Sequence, residues 1–69
     1  MRYYIMDGQT GEILSPVFEA ANGKKALERF LAVNCMFRSN YEIYKSDKCR
    51  YHTIAKCKYG NAIFQANEW

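Results

Sequence analysis

The chain has 69 residues, 49% of them hydrophobic and 25% charged, and its formal net charge is +3. This composition excludes an intrinsically disordered chain, which would be poorer in aromatic and β-branched side chains. The length predicts a single domain over residues 1–69 and excludes a large cofactor-binding α/β enzyme, because one crossover unit alone takes about 30 residues.

The first half of the chain predicts two strands and a helix. Residues 2–7 hold β-prone side chains and run into a turn with two glycines, which predicts a strand. Residues 12–20 predict the returning strand, which lies at a sheet edge or is broken at Pro16, because proline has no N–H to donate. Asn22 is a suitable N-cap for a helix predicted from Lys24 to about Phe37, where apolar side chains share one helix face.

The second half predicts three further strands. They cover Tyr41–Lys45, then Cys49 or Arg50 to Tyr59, and finally Ala62–Ala66. Short connections make neighbouring strands pair antiparallel, and a helix buries its apolar side best against one face of such a sheet. The predicted fold class is therefore α+β, in the order β-β-α-β-β-β, with one helix packed on a four- to five-stranded antiparallel sheet.

Basic side chains concentrate in the third and fourth predicted strands. Residues 45–58 hold five of the ten Lys and Arg residues and only one of the seven Asp and Glu residues. Alternation in the fourth strand predicts that one set of side chains faces the helix: Tyr51, Thr53, Ala55, Cys57 and Tyr59. The candidate binding residues are the cations and rings expected on or near the opposite face: Lys45, Lys48, Arg50, His52, Lys56, Lys58, Tyr44 and Trp69. Such a surface suits either an acidic protein or a nucleic acid backbone.

Aromatic side chains exceed what one helix and a small sheet can bury. The chain has six Tyr, four Phe and one Trp, and each ring can bury roughly 150–250 Å². The predicted core comprises Tyr3, Ile5, Val17, Leu27, Phe30, Leu31, Ile43, Tyr51 and Phe64. Some of the remaining rings are expected on the surface, drawn from Tyr4, Phe18, Phe37, Tyr41, Tyr44, Tyr59 and Trp69. Exposed Tyr and Trp are typical anchors of protein interfaces, and a homodimer is the alternative that would cover them.

Metal binding and catalysis have weak support in the sequence. Three cysteines and one histidine could form a zinc set, but no Cys-x-x-Cys pair occurs, and alternation places His52 and Cys57 on opposite faces. We therefore predict no metal site and no cofactor. The acids are scattered singly and no catalytic triad can be assembled, so we predict a protein that is not an enzyme. A reactive Cys49 or Cys57 beside basic residues is the weaker alternative.

Residues 18–31 resemble the strand-to-helix junction of small phage and mobile-element proteins. The resemblance implies an accessory protein or inhibitor, for example one acting against a host defence nuclease complex, as anti-CRISPR proteins do. The basic charge speaks against the DNA mimicry used by acidic inhibitors of that kind. The predicted function is non-enzymatic binding by protein–protein contact, and the alternative is nucleic-acid binding through the basic hairpin.

The N-terminal residues lack the apolar run and small-residue cleavage site of a signal peptide. The nearly uncharged stretch of residues 30–37 is too short to span a bilayer. These features predict a cytoplasmic protein without a membrane partner, in the bacterial host cytoplasm if the chain is phage-encoded. Reduced thiols are expected there.

Overall fold

One helix packs against one face of a five-stranded antiparallel sheet in a computed structural model, which confirms the predicted fold class. The structure describes residues 1–49 and 51–69; Arg50, a predicted cation of the basic site, lies outside the described residues. The elements are β1 (Arg2–Asp7), β2 (Phe18–Glu19), α1 (Gly23–Val33), a 3₁₀ turn (Arg38–Asn40), β3 (Tyr41–Lys45), β4 (His52–Cys57) and β5 (Ile63–Glu68).

The strands lie in the order β2-β1-β5-β4-β3, so the last strand of the chain is the central strand of the sheet. Ile5 of β1 and Thr53 of β4 both stand opposite Ala66 of β5. This register brings the first and last strands together across most of the chain. Ile5, Ala55 and Ala66 are fully buried and pack in one core cluster with the apolar residues of the helix.

α1 is amphipathic and contributes its apolar side to the core. Its N-cap Asn22 accepts a hydrogen bond from the Lys25 N–H at 2.9 Å, which satisfies one of the free donors of the first turn. Ala26, Leu27, Phe30 and Leu31 recur at helical spacing and are all buried. Phe64 of β5 packs against both Phe30 and Tyr41, with ring centroids 5.1 and 5.8 Å apart.

The helix ends at Val33 rather than near Phe37, so its predicted end is wrong. Cys35 has a φ of 59° and lies in the left-handed region, just beyond the last helical turn. Its N–H donates to the Ala32 carbonyl at 3.1 Å, and the Met36 N–H donates to the Leu31 carbonyl at 2.8 Å. This pair of bonds is a Schellman motif, which closes the helix with cysteine in the position usually taken by glycine.

The second strand is much shorter than the predicted residues 12–20. Only Phe18 and Glu19 form a strand, preceded by an isolated bridge between Met6 and Ile13. The interruption has a local cause: the Ile5 N–H donates to Ser15 Oγ at 2.9 Å instead of to a strand carbonyl. The strand is nevertheless at the edge of the sheet, as the proline predicts.

Two predicted core residues are exposed, and Tyr41, one of the rings from which the surface set was to be drawn, is buried. Val17 lies outside the short β2, and Tyr51 lies in the turn before β4, so neither follows the alternation of a paired strand. Tyr41 stands opposite Cys57 and packs on Phe64, which buries it. The helix-facing alternation is confirmed for Thr53, Ala55 and Cys57 of β4.

We expect the substitution Cys35→Gly to stabilise the fold. A non-glycine residue in the left-handed region costs about 1–2 kcal/mol, of which glycine's greater freedom in the unfolded chain offsets part. The free energy of unfolding should rise by about 0.5–1 kcal/mol, measured by urea denaturation. Ala32→Gly, one turn earlier in the helix, is the matched control and should lower stability by a similar amount. Destabilisation by Cys35→Gly would contradict the proposed strain.

Two buried tyrosines make stability depend on alkaline pH. Burial raises the pKa of Tyr3 above its usual value of 10.0, with a further increase from Glu68. Burial also raises the pKa of Tyr41, with a smaller contribution from Cys57. Above about pH 10 the unfolded chain therefore binds fewer protons than the folded chain at these positions, and stability falls as pH rises.

Replacing either tyrosine by phenylalanine should weaken this alkaline loss of stability. Tyr3→Phe and Tyr41→Phe each remove one phenol that is protonated in the folded protein and ionised in the unfolded chain. The measurement is urea denaturation at a series of pH values from neutral to strongly alkaline. Tyr44→Phe, at an exposed ring, is the control and should leave the slope unchanged. Equal slopes for all three variants would show that burial of Tyr3 and Tyr41 does not set the alkaline limit.

Candidate functional site

The face of the sheet opposite α1 is not covered by any described element, and we call it the open face. Strand register arranges it in rows: Tyr4, Asn67 and His52 form one, and Met6, Gln65, Ile54 and Tyr44 form the next. Ile63, Lys56 and Glu42 form a third row. The open face therefore consists of Tyr4, Met6, Glu42, Tyr44, His52, Ile54, Lys56, Ile63, Gln65 and Asn67.

A hydrogen-bonded polar cluster lies at the centre of the open face. Gln65 Nε2 donates to Asn67 Oδ1 at 2.7 Å and lies 3.2 Å from His52 Nδ1. Since an amide nitrogen can only donate, His52 Nδ1 is the acceptor in this arrangement. Asn67 Nδ2 in turn lies 3.1 Å from Met6 Sδ, a weak acceptor. Asn67 is only 5% exposed, so its buried amide is satisfied by hydrogen bonds to other side chains of the open face.

Aromatic rings flank this polar cluster on both sides. The Trp69 ring meets the Tyr4 ring edge-on, with centroids 6.3 Å apart and planes at 83°. The Trp69 side chain is still 75% exposed, and the backbone N–H of Trp69 donates to the Arg2 carbonyl at 2.9 Å. Tyr44 is exposed on β3, three strand positions away from Tyr4. At about 4.8 Å per strand, the two groups of rings are about 14 Å apart across the face.

The predicted basic residues do not form one continuous patch. His52 and Lys56 lie on the open face with Tyr44. The Lys58 N–H donates to the Asn40 carbonyl, which extends the β3–β4 pairing by one residue. Alternation along β4 therefore places Lys58 on the open face as well. Lys48 lies in the β3–β4 turn. Lys45 stands opposite Thr53, on the side of the sheet that carries the helix.

Within the described part of the chain, the four lysines of the predicted site make no ion pair. The salt bridges found there involve other cations: Arg2 and the N-terminal amine contact Glu19, while Lys25 and Arg38 contact Glu28. Lys56 has Glu42 as its strand partner, which reduces the positive charge at that point of the open face. Because Glu42 offsets Lys56, Lys58 contributes most of the net positive charge at this end of the open face.

The residues considered for a zinc set are spread over the fold. Cys35 follows the helix, Cys49 lies in the β3–β4 turn, and Cys57 lies on the helix side of the sheet while His52 lies on the open face. Over residues 1–49 and 51–69, no group of three metal-ligating side chains comes together. No helix in the described chain has the length and apolar character needed to cross a membrane.

Comparisons with known proteins found no relative. No protein-family model, no curated protein and no solved structure matches the chain. Sequence reasoning missed the polar cluster of Gln65 and Asn67, although the alternation of residues 63–68 would have placed both on one face.

Gln65→Ala tests the polar cluster. The substitution removes the donor to Asn67 Oδ1 and leaves a buried amide without its partner, which costs about 1–3 kcal/mol. We expect the free energy of unfolding to fall by that amount in urea denaturation. Gln9→Ala, in the exposed β1–β2 turn, is the control and should change stability by less than about 0.5 kcal/mol. Equal effects of the two variants would show that the cluster adds nothing to stability.

Proposed function

We propose that this protein is a non-enzymatic binding module whose open face docks on the surface of an acidic partner protein. The observation that carries the proposal is an uncovered sheet face on which Trp69 and Tyr44 are exposed around a hydrogen-bonded polar centre. Tyrosine and tryptophan are enriched among residues that dominate protein interfaces. A single helix on one side of the sheet leaves this face free for a partner.

Preorganisation of the open face supports the proposal. Its side chains come from paired strands, and Gln65 holds Asn67 and His52 in place through its amide. The Trp69 ring is oriented by its edge-on contact with Tyr4. Groups that are already ordered lose less conformational entropy when a partner binds, so more of the contact energy contributes to affinity.

Charge indicates the chemistry of the partner. Lys56 and Lys58 are exposed at one end of the open face and make no ion pair within the described residues. A partner with acidic side chains at the matching rim would be attracted by long-range electrostatics and oriented before contact. Ile63 stands opposite Lys56 and Ile54 stands opposite Tyr44, so apolar side chains lie next to both a cation and a ring, as in a mixed protein interface.

Nucleic-acid binding remains the alternative, and the placement of the cations favours it less. A surface that follows a phosphate backbone needs a continuous positive groove beside its stacking rings. Lys45 and Lys56 instead emerge from opposite sides of the sheet. The narrower prediction of a phage-type inhibitor of a nuclease complex stays a prediction, and docking through the open face is compatible with it.

Matched aromatic substitutions test the docking surface. Trp69→Ala removes a ring on the rim of the open face, whereas Phe37→Ala removes one that is equally exposed, 73% against 75%, but lies beyond the helix end. The measurement is quantitative capture of partner proteins from a host lysate by the immobilised chain. We expect the wild type and Phe37→Ala to capture the same acidic proteins in similar amounts. Trp69→Ala should capture about 30-fold less of them.

Two results would contradict the proposal. The first is partner capture that Phe37→Ala abolishes and Trp69→Ala leaves intact. The second is micromolar binding of generic single-stranded RNA or DNA that weakens steeply with salt and is lost when Lys56 and Lys58 are changed to Glu. Self-association that depends on Trp69, detected by analytical ultracentrifugation, would instead assign the open face to a second copy of this chain.

A further inference from the structure

A second surface of interest lies on the helix side of the sheet, where the first turn of α1 meets β3 and β4. It is a cleft of about 490 Å³. The residues that matter for its chemistry are Asn22, Gly23, Lys24, Ile43, Lys45 and Thr53. Tyr44 of the open face also lines the cleft. None of the six residues named above belongs to the open face, so substitutions at these six test the cleft apart from the proposed docking surface.

Two backbone donors at the start of the helix belong to residues that line the cleft, the buried Gly23 and the exposed Lys24. Among the described residues, the Asn22 side chain accepts only the Lys25 N–H, and the Asn22 carbonyl accepts the Ala26 N–H. In the described part of the chain the N–H groups of Gly23 and Lys24 have no acceptor. Free N–H groups at a helix N-terminus, reinforced by the helix dipole, attract anions.

Thr53 supplies an independent sign of a ligand. This residue is only 7% exposed, yet its hydroxyl makes no hydrogen bond within residues 1–49 and 51–69. In that part of the structure, no side-chain nitrogen or oxygen is both unpaired and fully enclosed. The unpaired Thr53 Oγ1 therefore keeps some accessible surface, and Thr53 lines the cleft. A Cβ on Gly23 would overlap this oxygen, which shows how closely the hydroxyl lies beneath the first helical turn.

The charged residues that line the cleft, Lys24 and Lys45, are both positive. Lys45 stands directly opposite Thr53 on the neighbouring strand, and its side chain leaves the sheet on the same side. The first turn of the helix holds Lys24 and Lys25 and no acidic residue. Lys25 is paired with Glu28, whereas Lys24 and Lys45 make no ion pair in the described chain. Cations at a helix N-terminus are unfavourable, and a bound anion would relieve them.

We propose that this cleft binds a phosphate group. The oxygens of a tetrahedral dianion can accept from the Gly23 and Lys24 N–H groups and from the Thr53 hydroxyl at once. The ammonium groups of Lys24 and Lys45 balance its two negative charges. Ile43 offers an apolar wall next to this position, so the phosphate of a small monoester fits better than free inorganic phosphate.

Titration of the ¹⁵N-labelled full chain tests the site. Inorganic phosphate, phenyl phosphate and acetate are added separately at constant ionic strength, and the amide shifts of Gly23 and Lys24 are followed. We expect saturable shifts with both phosphates, tighter binding of phenyl phosphate, and no saturation with acetate. Equal binding of the two phosphates would assign the site to free phosphate. Shifts that follow ionic strength alone, or saturation by acetate, would overturn the proposal.

Paired variants separate the cleft from general surface charge. Thr53→Val removes the hydroxyl and Lys45→Gln removes one cation, and each should weaken phosphate binding about tenfold. Thr53→Ser keeps the hydroxyl and should retain binding, which guards against a merely structural effect of Thr53→Val. Lys48→Gln, in the turn of the same hairpin, is the matched control for Lys45→Gln. If Lys48→Gln weakens binding as much as Lys45→Gln does, the proposed site is wrong.

Discussion

The pairing of β5 with both β1 and β4 is the constraint on which the rest of the structure depends. This strand comes last in the chain but lies in the middle of the sheet. Without it the sheet would separate into the β1–β2 and β3–β4 pairs, and two-stranded hairpins are marginal in water. Towards the helix, β5 presents Phe64 and the small Ala66; away from it, Gln65 and Asn67. One strand therefore builds both the core and the open face.

Local patterns predicted most of the elements, whereas non-local contacts decided what the patterns missed. β-prone runs and the spacing of apolar helical residues gave five strands and a helix in the correct order. The central position of β5 rests on pairs such as Tyr4 with Asn67, which no local pattern reveals. The helix end was missed because Cys35 adopts a conformation that glycine usually signals. The second strand was overestimated because Ser15 replaces a strand carbonyl as acceptor.

The candidate site was predictable by face within a strand but not as an assembled surface. Alternation correctly separated Thr53 and Ala55 from the residues on the other side of β4. The count of basic residues along the segment could not show that Lys45 emerges beside the helix while Lys56 emerges on the open face. Neighbouring charges in the sequence belong to different surfaces in a strand, because its side chains alternate.

In this two-layer arrangement one face of the sheet has no covering helix among the described elements, and the polar cluster explains how this face stays ordered. A wholly apolar open face would favour association with any hydrophobic surface. A wholly polar one would offer a partner little area to bury. Here Gln65 satisfies Asn67 and orients His52, so the centre is polar but internally paired. A partner whose surface is complementary to the surrounding rings gains apolar contact there and leaves those hydrogen bonds intact. A generic apolar surface would have to lie against the polar centre, where it gains no apolar contact.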